Sequence, residues 1–396
     1  MIKPYGSDRL NPLFICDQAE RRILEKEAEH LPSLLINSSA GANAVMLGSG
    51  YFTPLKGYMS LSDAINVSET LHTTDGLFWP VPIVNRTNDI EAIKGADRIA
   101  LRDPNIEGHP VLAIQNIQSI EKAHEEQLLS MCHHIFRTKN IKHPGVATFL
   151  KLGRYFISGP IQVLNFSHFQ QNFPNTFRTA TEIRHEIIKR DWKKVVAFQT
   201  RNPMHRAHEE LCKIALREVG ADGVLIHMLL GQSKSGDIPA SIRISAIRKM
   251  VDLYFPENTA MVAGYGFDML YAGPREAVLH ALFRQNSGCT DFIVGRDHAG
   301  IGGYYGAFDA QRIFDEHVPK GVLDIKIFNA DHTAYSKKLN KVVMMRDVTD
   351  HKINDFVLLS GTKMRAQLSL GKALPKEIAR PEISKILTDS LRHGTK

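Results

Sequence analysis

The apolar run Lys194-Val195-Val196-Ala197-Phe198 passes directly into Gln199-Thr200-Arg201-Asn202-Pro203-Met204-His205-Arg206-Ala207-His208, and this junction decides how the chain is read. Five residues rich in β-branched and aromatic side chains predict a buried strand, and a helical pattern follows over 205–219. Pro203 suits the start of that helix, because it has no N–H to leave unsatisfied and its φ is already helical. Two later segments repeat the pattern: Gly223-Val224-Leu225-Ile226-His227-Met228, closed by Gly231, and Asp291-Phe292-Ile293-Val294-Gly295. Strands alternating with long helices from Phe177 onward are the mark of βαβ units on a parallel sheet. Polar and glycine-rich residues follow each strand, which is where doubly wound sheets bind ligands.

Working outward, 396 residues exceed one ordinary core of roughly 100–200 residues, so two or three domains are expected. The first 160 residues read as short strands and loops with occasional helices, such as the amphipathic stretch 18–30. Strands are expected at Trp79-Pro80-Val81-Pro82-Ile83-Val84, and at neighbouring segments 98–104 and 111–114. A hydrophobic share of 43% and a charged share of 23% fit a globular protein. No segment approaches the roughly 20 apolar residues of a membrane span, and no secretory signal is evident, so a cytoplasmic location is expected. Cys16, Cys132, Cys212 and Cys289 lie far apart, form no C-x-x-C pair, and are expected to be reduced. The net charge of +7 favours anionic partners without choosing among nucleic acid, nucleotides and small oxyanions. The compact basic run 189–194 precedes a strand and reads as a solvated loop rather than a nucleic-acid arm.

At the junction, backbone N–H groups and the positive end of a helix dipole would meet an anion. His205 and His208, three apart, share a helix face, while Arg201 offers a planar fork for phosphate or sulfate oxygens and Asn202 a further donor. In isolation such a histidine pair is more often an ordinary exposed pair. A metal site is disfavoured by the missing H-E-x-x-H spacing and the lack of a nearby cysteine or third histidine. The segment 199–209 closely resembles the Q-x-R-N-P-x-H-x-x-H motif of the ATP sulfurylase family. Gly295-Arg296-Asp297-His298-Ala299-Gly300 is similar to that family's V-G-R-D-H-A-G motif. Tyr271-Ala272-Gly273-Pro274-Arg275-Glu276-Ala277 and Ser360-Gly361-Thr362-Lys363-Met364-Arg365 match two further elements, and the segments 50–59 and 143–147 extend the resemblance to most of the chain.

The resemblance implies a fold and a chemistry. The fold is an α/β, Rossmann-like nucleotidyltransferase domain at 166–330, preceded by a β-rich PUA-like domain at 1–165 and followed by a small α/β region at 331–396. The reaction is ATP plus sulfate giving adenylyl sulfate and pyrophosphate, reversibly, by in-line attack on the α-phosphorus. Gln199, Arg201 and the backbone N–H of Ala299 bind sulfate, and Thr200, Arg201 and Asn202 act in transfer. ATP contacts fall to Gln199, Thr200, Arg201, Asn202, His205, His208, Gly295, Arg296, Asp297, His298 and, on the adenine side, Thr333. Arg275 is expected to shape the site as one half of an ion pair. Mg2+ accompanies the nucleotide, held mainly by phosphate oxygens. Many relatives place zinc-binding cysteines just after the tyrosine matching Tyr335; here Ser336-Lys337-Lys338-Leu339-Asn340 stands instead, so no structural zinc is expected. No G-x-x-x-x-G-K-[ST] loop occurs, so a fused adenylylsulfate kinase is not expected either. Relatives are often homodimers, and no nucleic-acid or membrane partner is implied. Two rivals remain open: another H-x-x-H adenylyltransferase with a different acceptor, and a non-catalytic RNA-binding protein using the amino-terminal domain.

Overall fold

The valine-rich run at 195 forms the central strand of a five-stranded parallel sheet. The computed structural model describes residues 1–232, 237–359 and 361–393. The strands are β1 (Val195–Thr200), β2 (Gly223–Leu229), β3 (Ala260–Tyr265), β4 (Asp291–Val294) and β5 (Lys326–Asn329), in the order β3-β2-β1-β4-β5. All four pairings are parallel. The chain steps outward from β1 to β3, then crosses back to the other side of β1, which is the topological switch of a doubly wound sheet. β1 pairs with β2 from Val195↔Gly223 to Thr200↔Met228, but with β4 only at Val196↔Asp291 and Ala197↔Phe292. Beyond Ala197 the two strands part, and a crevice opens at their carboxyl ends.

The crossovers are α1 (Arg206–Val219), α2 (Ala240–Tyr254), α3 (Pro274–Asn286) and α4 (Asp309–Glu316). Helix α1 begins at Arg206 with His205 as its N-cap, so Pro203 lies in the turn ahead of the helix rather than in its first position. The reason is the hydroxyl of Thr200, which accepts from Asn202 N–H at 3.1 Å and donates to Asn202 O at 2.8 Å. That local turn uses the backbone of 200–202 and delays the helix.

Side chains of β1 alternate between two cores with the period of two that a strand dictates. Val195 and Ala197 face a large apolar cluster that continues without a break into the amino-terminal domain. Val196 and Phe198 face a second cluster containing Leu211, Ile247, Leu368, Leu374, Ile383 and Leu387. The carboxyl-terminal helices α5 (Gly361–Ser369) and α6 (Pro381–His393) therefore share the core of the catalytic sheet. Between them and β5, Thr333–Ser336, Lys341–Met344 and Phe356–Val357 make a small antiparallel sheet.

The amino-terminal domain is built on a mainly antiparallel seven-stranded sheet around Tyr155–Val163. Arg98–Arg102 and Val111–Asn116 are antiparallel neighbours there, as the sequence suggests. Helices Ser38–Gly48, Leu61–Thr70, Glu125–Phe136 and Pro144–Lys151 pack with the sheet. The expected strand at 79–84 does not form. Its two prolines remove ladder donors, and the run is instead buried as irregular extended chain, with Trp79, Val81 and Ile83 almost wholly inaccessible. Among the described residues Arg275 has no carboxylate partner. Its guanidinium donates to the carbonyls of Val67, Ser68 and Pro80, two of them in the last turn of Leu61–Thr70, where unsatisfied carbonyls and the helix dipole favour a cation.

Candidate active site

The crevice between β1 and β4 holds a cavity of about 330 Å3, lined among others by Gln199, Arg201, His208, Gly295, His298 and Thr333. The turn 199–202, the start of α1, the loop after β4 and the first strand beyond β5 thus meet around one volume. A second cavity of about 600 Å3 adjoins it and shares Asn202, His205, His208 and His332. Its far wall is apolar, from Leu359, Leu374 and Leu387. Ser360 lies outside the described residues, as do the side chains of Thr362 and Arg365, so the S-G-T-x-x-R element is placed only through Lys363 and Met364, which line the second cavity.

Donors dominate the walls. Arg201 stacks its guanidinium over the Tyr271 ring at 4.9 Å, and its Nη1 is buried without a hydrogen-bond partner. Among the described residues no carboxylate lies within ion-pair distance of it. Arg201 is half-buried, and an inaccessible guanidinium N–H without an acceptor is costly unless an anion joins it. Gln199 Nε2 donates to Tyr265 Oη at 3.3 Å, which turns the carboxamide along the crevice. Thr200 is buried and its hydroxyl is committed to the turn, whereas Asn202 is exposed at the cavity mouth.

His205 and His208 stack with centroids 3.9 Å apart. His205 makes no side-chain cap to its own helix. Among the described residues, the first-turn N–H groups of Ala207 and His208 have no backbone acceptor, while Arg206 N–H reaches Ile378 O. Burial pushes His208 down to about 4, and burial, His208 and His332 hold His205 well below the ordinary histidine value. Both rings are thereby held toward the neutral form. His332 is lowered too, by burial and then by Arg296.

The loop after β4 is wound tightly. Asp297 (φ 54°) and Ala299 (φ 53°) both occupy the left-handed region, which side-chain-bearing residues adopt sparingly and which clusters at functional sites. Asp297 N–H is held by Ala307 O, and Ala299 O accepts from Gly273 N–H at 3.1 Å. Among the described residues nothing accepts the N–H of Ala299. Gly295 has no positive φ, and a Cβ placed there would meet nothing within 4 Å, so the glycine leaves the cavity open rather than relieving strain. Arg296 pairs with Asp297 at 3.3 Å at the surface, while His298 points inward and bonds His280 at 3.0 Å. Thr333 is buried, with its hydroxyl on Asp331 O at 3.3 Å.

All twelve residues singled out from the sequence reach this crevice. The structure adds others that sequence reading passed over: His332 on the wall, and the buried groups Glu276, His280, Arg284 and His227 behind it. A signal existed for three of them, since Glu276, His280 and Arg284 recur every four residues and so share one helix face. Among the described residues no three His, Cys, Asp or Glu side chains stand close enough to hold a metal ion. Beyond Tyr335, Ser336 Oγ lies 2.7 Å from His351 Nε2, and His351 Nδ1 2.8 Å from Asp350.

A doubly wound parallel sheet with an arginine, a histidine pair and a strained glycine-led loop at its switch point defines a nucleotide-binding transferase of the nucleotidyltransferase class. Comparison with known proteins narrows this. The family described as ATP-sulfurylase matches residues 174–390, and that described as PUA-like domain matches residues 2–166. The chain belongs to the ATP-sulfurylase family. It is 62% identical over 389 residues to a sulfate adenylyltransferase of Alcanivorax borkumensis, covering 98% of this chain and 97% of that one. It is 61% identical over 392 residues to a sulfate adenylyltransferase of Allochromatium vinosum, covering 99% of each. A solved structure described as a hexameric APS kinase from Thiobacillus denitrificans superposes with a TM-score of 0.74 at 22% identity, over 98% of this chain and 68% of that one, and shares the fold.

Proposed function

We propose that this chain is a sulfate adenylyltransferase that joins sulfate to the α-phosphorus of ATP, releasing pyrophosphate, and that runs the reverse reaction in the same crevice. The observation that carries this reading is Arg201, a half-buried guanidinium whose inaccessible Nη1 has no hydrogen-bond partner and which, among the described residues, pairs with no carboxylate, on the wall of a cavity lined by donors. Sulfate is fully ionised near neutral pH and needs no general base. The catalytic task is to hold two repelling anions in line and to stabilise charge on the transferring phosphoryl group and on the departing pyrophosphate.

In this reading Gln199, Arg201 and the N–H of Ala299 hold sulfate. Thr200 fixes the turn so that Arg201 and Asn202 face the α-phosphoryl oxygens. His205, His208 and the free N–H groups of α1 receive the β- and γ-phosphates. Gly295, Arg296, Asp297 and His298 line the remaining nucleotide, and Thr333 stands on its adenine side. A wall of Arg, His, Gln and Asn with few carboxylates fits a nucleotide that brings its own Mg2+, which when bound neutralises polyphosphate charge. The same reading divides the chain into supporting (1–165), catalytic (166–330) and closing (331–396) parts, although the apolar cores run across both borders. A cytoplasmic location belongs to it as well, supported by the use of ATP and by four free cysteines. Among the described residues no helix is long and apolar enough to cross a membrane.

The test is sulfate-dependent exchange of labelled pyrophosphate into ATP with Mg2+ present, beside an Arg201→Ala variant. The wild type exchanges only when sulfate is added, and the variant loses on the order of 100-fold or more. Exchange without sulfate, or an unimpaired variant, overturns the proposal.

A further inference from the structure

Helix α3 is buried everywhere except at Arg275, and three of its ionisable side chains are fully inaccessible: Glu276, His280 and Arg284. Their spacing of four puts them on one face. His280 Nδ1 lies 3.0 Å from Nε2 of His298, the histidine that lines the anion cavity. The other nitrogen, His280 Nε2, is buried without a hydrogen-bond partner and faces Glu276 Oε1 at 3.6 Å. Glu276 in turn accepts the backbone N–H groups of Leu270 and Ala272, each at 3.0 Å, which anchors the loop leading into α3. A buried carboxyl thus stands in line, through the His280 imidazole, with the His298 ring on the cavity wall.

We propose that Glu276 and His280 form a proton relay behind His298, so that positive charge appears on His298 when a pyrophosphate-like anion enters the cavity and withdraws when it leaves. The proposal rests on the reading of this cavity as the polyphosphate site. In the anion-free site Glu276 carries a proton on Oε1, His280 carries its proton on Nδ1 and directs it at His298 Nε2, and His298 keeps its own on Nδ1. When the anion docks, Glu276 closes the 3.6 Å gap to hydrogen-bond length. The Glu276 O–H bond breaks as an N–H bond forms at His280 Nε2, and the His280 Nδ1–H bond breaks as one forms at His298 Nε2. The products are a carboxylate at Glu276, a neutral His280 in its other tautomer and an imidazolium at His298. No proton is exchanged with solvent, and no electron changes hands.

The surroundings set the direction of the relay. Arg201 from the turn after β1 and Arg284 one helical turn along α3 repel a cation on His298, and His227 from β2 adds to the crowding around His280. Tyr265 from β3 and Tyr305 from the loop after β4 stand near the relay, and burial raises the Tyr305 phenol. Burial together with the two arginines presses His298 down to about 3, while burial lifts the Glu276 carboxyl to about 7 against the pull of its backbone donors and Arg201. The proton therefore rests at Glu276 until a multiply charged anion offsets the two arginines. Histidine charge on demand adds positive charge beside Arg201 only while pyrophosphate is bound.

The experiment is NMR on protein carrying 15N-histidine and 13Cδ-glutamate, titrated with pyrophosphate at pH 6.5. The ring nitrogens of His298 should move from the pattern of a neutral ring to that of an imidazolium, while the Glu276 carboxyl signal moves from acid to carboxylate. In Glu276→Gln, His298 should stay neutral, and pyrophosphate should bind roughly five- to tenfold more weakly, the difference between a charged and a neutral hydrogen bond. The wild-type titration decides the matter even if that variant folds poorly. Shifts at His205 and His208 with His298 unchanged, or a charged His298 with Glu276 unchanged, overturn the relay and leave the polyphosphate site standing. No shift at any of the three histidines overturns both.

Discussion

Arg380→Ala should loosen the carboxyl-terminal helices from the catalytic sheet. Glu209, in the first turns of α1 and 1% exposed, accepts from Arg380 Nε at 3.0 Å, from Arg380 Nη2 at 2.9 Å and from Lys213 Nζ at 2.6 Å. Arg380 stands just ahead of α6 and lies over the Tyr254 ring of α2 at 4.1 Å, so one guanidinium ties three helices. Removing one partner of a buried pair costs about 3–5 kcal/mol, because the other charge is left stranded. Lys213 still serves Glu209, and the Arg380 side chain is 28% exposed, so the lower end applies, about 3 kcal/mol at pH 7. Burial alone would raise the Glu209 carboxyl, but the hydrogen bonds from Arg380 and Lys213 hold it below its ordinary value of 4.5. Its contribution is therefore present above that value and fades as pH falls through the lower folded value. Urea unfolding of wild type and variant at pH 7 and again below pH 4 should show a gap that narrows on acidification. A gap under about 0.5 kcal/mol at pH 7, or one that does not narrow, refutes the reasoning.

Gly273→Ala should cost about 2 kcal/mol or more, since φ is 52° and the new Cβ would sit 2.7 Å from the Tyr305 ring; thermal unfolding checks it, and sulfate-dependent turnover should fall as well because Gly273 N–H holds Ala299 O. His208, lowered from 6.5 to about 4 by burial, favours the folded state fully above pH 6.5 and loses that contribution as pH falls toward 4. The stability of wild type should therefore drop by about 1 kcal/mol more than that of His208→Asn between pH 7 and pH 5, a figure reduced for the partial exposure of the ring and read from denaturant midpoints. Sedimentation equilibrium should return twice the 44.4 kDa chain mass if the expected homodimer forms, and a monomer or a hexamer contradicts it.

Much of the fold is legible because the central strands are buried on both faces. Continuous apolar runs at β1, β2 and β4, each closed by glycine or a polar turn, announce a parallel sheet without any partner being known. β3 and β5 are harder to see. Ala260-Met261-Val262-Ala263-Gly264-Tyr265 is rich in small residues, and Lys326-Ile327-Phe328-Asn329 is four residues long. The strand expected at 79–84 fails for the opposite reason: hydrophobicity reports burial, whereas pairing needs donors that Pro80 and Pro82 lack. At the site, residues next to one another in sequence are readable because a turn or a helix face brings them together. Groups meeting across the fold, such as His280 with His298 or Glu209 with Arg380, depend on crossover geometry that local pattern does not encode. Thr200 illustrates a subtler limit, since its residue type suggests a hydroxyl for the substrate while the turn takes that hydroxyl for itself.

The central claim is that a sulfate oxygen attacks the α-phosphorus of ATP in the crevice between β1 and β4. Phosphorus-31 NMR of adenylyl sulfate made from 18O-labelled sulfate tests it directly. The account predicts an isotope-shifted α-phosphorus resonance in the product, because the bridging oxygen comes from sulfate, and near-complete loss of that product with Arg201→Ala. An unshifted resonance, or shifted product formed equally well by the variant, would contradict it.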